Sequence, residues 1–66
     1  MGKLKTDANI DDADGFMAEL LALHDGRSKA ESDAINARLI LILANHIGDR
    51  AVLSEALRTA GMARDD

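Results

Sequence analysis

The chain has no cysteine, no proline, no tryptophan and no tyrosine, and a single phenylalanine. Without cysteine there is no disulfide and no thiolate metal site to reinforce a fold of 66 residues, a size at which one hydrophobic core only just offsets the entropy of ordering the chain. Without proline nothing forces a break inside a helix. The want of cysteine and tyrosine also thins the supply of nucleophiles and general acids. The serines Ser28, Ser32 and Ser54 fall at cap or surface positions, and no glycine-rich phosphate loop follows a strand. Catalysis is therefore not expected, and neither catalytic nor cofactor-binding residues are assigned. A chain this short also leaves little volume for a substrate pocket of the usual 300–1,000 Å³ or so.

Long apolar runs are missing too. The longest, Leu39 to Ala44, falls well short of the roughly 20 residues that a spanning helix needs. No signal-type hydrophobic region opens the chain, so the expected setting is cytoplasmic, with no membrane partner. The formal net charge of −4 is spread over both signs, which argues against a polyanionic partner such as nucleic acid.

What is present is helical. Residues 1–10 lack periodicity and read as an extended or flexible lead-in from which Leu4 or Ile10 can still dock; residues 11–61 form one helical domain, and residues 62–66 a frayed tail. Asp11 or Asp12 can cap a first helix over about 12–25, stopped at Gly26, with Ala13, Phe16, Met17, Leu20, Leu21 and Leu23 on one arc. Ser28-Lys29-Ala30-Glu31 has the capping-box spacing, so a second helix runs over about 29–47 and closes at Gly48. Asp49 caps a third, about 50–60, ending at Gly61. The short connections make these neighbours an all-α, three-helix arrangement.

The middle helix is unusual because Glu31, Arg38 and Asn45 make only a narrow polar stripe. Ile35, Leu39, Ile42 and Leu43 form one apolar face, Ile40, Ala44 and Ile47 a flank, and Leu41 lies further round with Ala37. Such a helix is buried from more than one direction. The expectation is that it meets helices 1 and 3 on one side and a second polypeptide on another, a homodimer being the default. The alternative is a compact three-helix monomer with Leu41 partly exposed.

Among polar residues, Asn36 falls beside Ile40, Leu43 and Ile47, where a buried amide can fix register; Asn45 reads as a rim residue. His24 and His46 lie near helix C-termini on apolar faces. Each is read first as a core histidine that packs its ring edge, second as a ligand, because no H-x-x-x-H or E-x-x-H pair sets two ligands on one face. No metal is assigned. Asn45, His46, Ile47, Gly48, Asp49 and Arg50 gather polar groups at the corner between helices 2 and 3, either as an anion site at a helix N-terminus or as a glycine stop followed by an aspartate cap, which is preferred. A calcium loop starting at Asp7 fails because Asp12 and Ala18 replace its glycine and glutamate. Gly2 with Thr6 fits only the loose myristoylation pattern. A helix-turn-helix presenting Arg50, Ser54 and Arg58 has a thin electrostatic footprint.

The segments Asp14-Gly15-Phe16, Asn36-Ala37-Arg38-Leu39 and Ala44 to Leu53 resemble DUF2783, a family of short bacterial proteins of unknown function, over about Asp11 to Leu57. Met17 departs from the family pattern, which has an aromatic there. The resemblance implies a bacterial cytoplasmic protein, supplies no activity or catalytic residue, and, through neighbouring genes for flavin-dependent oxidoreductases of aromatic catabolism, suggests an accessory role. The leading reading is thus a non-catalytic interaction module that self-associates through helix 2 and binds another protein, an oxidoreductase being one candidate. Two others stand beside it: a small DNA-binding regulator, and a metal or small-ligand binder through His24 and His46.

Overall fold

The computed structural model describes residues 2–62. Three α-helices follow one another: α1, Ala13–His24; α2, Lys29–Ile47; and α3, Arg50–Met62. The all-α, three-helix architecture expected from the sequence is what the chain adopts.

Each boundary has a local cause. At the start of α1 the Asp12 carboxylate accepts from the Gly15 amide at 3.2 Å, while its backbone sits in the left-handed region at φ 49°. An aspartate tolerates that conformation better than most residues. A β-carbon on Gly15 would collide with the same carboxylate, so position 15 has no room for a side chain. At the other end of α1 the Arg27 Nε donates to the Leu23 carbonyl at 2.8 Å, which satisfies one of the acceptors that a helix C-terminus leaves free.

The capping box forms in full. The Ser28 amide donates to Glu31 Oε1 at 2.8 Å, and the Glu31 amide donates to Ser28 Oγ at 3.2 Å. The bond from the Ser28 amide and, after it, the Ser28 hydroxyl hold the Glu31 carboxyl below its ordinary value. Gly48 closes α2 at φ 71°, its amide donating to the Ala44 carbonyl at 2.9 Å. Gly61, expected to end α3, does not: the helix continues through it to Met62. Glycine is costly in a helix but does not forbid it, and Gly61 does not adopt the left-handed conformation that Gly26 and Gly48 use to stop theirs. The tail expected to fray lies, beyond Met62, outside the described residues.

Little of this structure is interior. Ile35, 8% exposed, is the one buried hydrophobic side chain among the described residues; Leu20, Leu39, Val52 and Leu53 are half-buried. The radius of gyration is 13.6 Å, where a compact chain of this length has about 11 Å. The chain exposes 5962 Å² of surface, whereas a compact monomer of this mass exposes about 4,000 Å². The helices are well formed, and the core they would be expected to share is nearly absent.

Candidate interaction surface

Two sets of contacts hold the helices together and decide which faces stay free. The first joins α1 to α2: His24 Nδ1 and Ser32 Oγ lie 2.9 Å apart, partly buried, next to a shallow groove of about 270 Å³ lined by Leu23, Arg27, Ile35, Arg38, Leu39 and Ile42. His24 thus packs and hydrogen-bonds through one ring nitrogen. His46 is exposed instead of packing with Ile35 and Leu39, because α1 covers only the part of that face nearer the start of α2.

The second set builds the corner between α2 and α3, the best-packed pair of helices. Asp49 is its hub. Its Oδ1 accepts from the amides of Ala51 at 2.9 Å and Val52 at 3.3 Å, and its Oδ2 accepts from the amide of Gly2 at 2.8 Å. Those bonds, from Val52 first and then Gly2, lower the Asp49 carboxyl below its ordinary value. The N-terminus of α3 is therefore already occupied by the chain's own carboxylate, in the place an external anion would take. Next along, the Leu4 amide donates to Glu55 Oε1 at 3.3 Å. Residues Gly2 to Leu4 so form a strap across the start of α3, and Ala51 to Ala56 are half-buried on every side. A β-carbon on Gly2 would collide with Asp49 and crowd Val52. The sequence allowed Leu4 to dock but carried no signal of its partner or of the role of Gly2, since the contacts are distant along the chain and Gly2 sits in a stretch without periodicity.

What these contacts leave uncovered is apolar. On α2, Ile40 is 62%, Leu41 70% and Ile47 51% exposed; Ile42 and Leu43, expected on the inner face, are exposed as well. Phe16, Met17, Leu21 and Leu23 of α1 are also exposed. Isolated exposed leucines are ordinary, but nine large apolar side chains exposed on two short helices are more than a chain of this size usually leaves in water. Asn36, expected beside Ile40 and Leu43, lies on the exposed surface, as does Asn45; Ala44 is half-buried near the corner, and Arg50 and Arg58 are exposed with Ser54 half-buried between them.

Chemistry is sparse by comparison. Among the described residues no group of three or more His, Asp or Glu side chains is placed to hold a metal ion, and no helix is long and apolar enough to cross a membrane. A depression of about 450 Å³ lies at the start of α1, between Ile10, Asp11, Asp12, Gly15, Phe16 and Glu19. That volume is within the range of ligand sites and larger than the chain length suggested. It is open to solvent, however, and the Asp12 carboxylate in it is committed to capping α1.

No curated protein and no solved structure matches the chain. A family model does, over residues 4–62, and it takes in α1, α2 and α3 together with most of the segment before them. The chain belongs to DUF2783, a family of proteins of unknown function.

Proposed function

We propose that this chain is a non-catalytic interaction module that pairs with a second copy through α2 and, so assembled, binds or stabilises another protein. The supporting observation is the contrast between one buried hydrophobic side chain among the described residues and the many large apolar side chains exposed on α2 and α1. The surface in excess of a compact monomer is about 1,900 Å², more than the roughly 800 Å² that each partner buries in a standard interface. A second copy supplies the same apolar face without requiring a further gene product, and two-fold dimers are the commonest assemblies. The family resemblance suggests an oxidoreductase as the protein served, in the bacterial cytoplasm.

The test is the mass of the purified chain in solution by sedimentation over a wide range of concentration. A reversible dimer is expected. A folded monomer at high concentration would remove the proposal. Affinity capture from source cells, with an oxidoreductase recovered in stoichiometric amount, tests the accessory role separately.

A further inference from the structure

The face of α2 that points away from Ile35 is not uniformly apolar; it is graded in size. Ala30, Ala37 and Ala44 recur at intervals of seven, so they stack along one side of the helix, about 180–220° round from Ile35. Flanking that line are Asp33 and Ala34 in the first half of α2, and Ile40 and Leu41 in the second. The small half carries the ion pair of Lys29 with Asp33, 2.7 Å and exposed; the bulky half carries Ile40 and Leu41, 62% and 70% exposed.

We infer that two copies pair antiparallel along this face, with the two Ala37 residues meeting at the two-fold axis. The inference rests on the self-association proposed above and specifies its geometry. In this register Ala44 meets the partner's Ala30, Leu41 meets the partner's Ala34, and Ile40 meets the partner's Asp33. Every layer then combines side chains whose summed bulk allows the axes to approach to about 8 Å, the near end of the range for packed helices. A parallel pair would set Leu41 and Ile40 against their own copies between layers of alanine, prising apart the helices where the alanines need closeness. It would also bring Asp33 near the partner's Asp33 and align the helix dipoles, both of which are repulsive. Antiparallel pairing removes each of these conflicts.

The absence of native cysteine permits a clean test with single-cysteine variants of the full chain, A37C, A30C and A44C, oxidised under mild conditions. A disulfide needs α-carbons within about 7 Å. Antiparallel pairing places the two Ala37 residues within that reach but holds the two Ala30 residues about 21 Å apart along the axis. The expected pattern is near-complete disulfide dimer for A37C, none for A30C alone, and a mixed disulfide when A30C and A44C are combined. The mass of each reduced sample by sedimentation separates the two levels of the argument. A reduced dimer in which A30C links to itself is parallel, and one in which neither variant links uses another face; either overturns this inference while self-association stands. A reduced monomer overturns both.

Discussion

Replacing Leu41 with alanine distinguishes a chain that stands alone from one that pairs, because the two cases predict effects of different size and sign. In an isolated chain Leu41 is 70% exposed, so little transfer free energy is at stake. Alanine is the better helix former, and the substitution is then neutral or slightly stabilising, within about 0.5 kcal/mol. In the dimer the same side chain is withdrawn from water, at about 1.5–3 kcal/mol for a leucine. Two-fold symmetry counts the loss on both copies, giving about 3–6 kcal/mol for the assembly, which weakens dimerisation by about a hundredfold to ten-thousandfold. Sedimentation equilibrium of the wild type and L41A at matched concentrations reads this directly, and circular dichroism reports whether the helices persist. A dimer constant changed by less than about threefold would refute the reasoning, since that is under 0.7 kcal/mol or so.

Three further outcomes are expected. The thermal midpoint should rise by about 5 °C for each tenfold increase in concentration, because folding of a dimer gains about 1.4 kcal/mol per decade against an unfolding entropy of about 2.1 cal/mol/K for each residue of both copies; a midpoint independent of concentration contradicts assembly-coupled folding. S28A should cost about 1 kcal/mol in denaturant unfolding through loss of the cap on α2, whereas G48A, forced to hold φ 71°, should cost about 1–2 kcal/mol and G61A, inside a helix with open space around it, should stabilise by up to about 1 kcal/mol. Stability should fall on acidification: the carboxyls of Glu31 and Asp49 are lowered from their ordinary values of 4.5 and 3.8, so what they contribute is present above those values and is lost as pH falls through the lowered ones. D49N should flatten the acid limb of a stability profile, and an unchanged profile would count against the hub at Asp49.

The sequence was most legible where a signal is local. Ser28 and Glu31 marked the start of α2 to the residue, and Gly26 and Gly48 marked stops because both need the left-handed conformation. Gly61 misled because a glycine permits a stop without enforcing one. Between the two candidate caps of α1, only three-dimensional placement chose Asp12, whose carboxylate reaches the amide of Gly15. Periodicity grouped Ile35 with Leu39 and Ile42 correctly as neighbours on a helix, but could not tell how far α1 extends over that face; it stops short of Ile42 and His46, which stay exposed. Leu4 was open to docking as an apolar residue in the lead-in, but its partner Glu55 and the bond from Gly2 to Asp49 were not legible, since nothing in local composition encodes a contact between residues so far apart.

That a single isoleucine is the buried hydrophobic side chain among the described residues bears on how long a copy survives. Local opening is cheap where few apolar contacts must be broken, and the backbone of an unpaired copy is accordingly within reach of a protease. Pairing would bury the same segments and withdraw them from cleavage. Lifetime would then rise with abundance, because a chain that pairs with its own copies is protected at concentrations where it dimerises and is cleared below them.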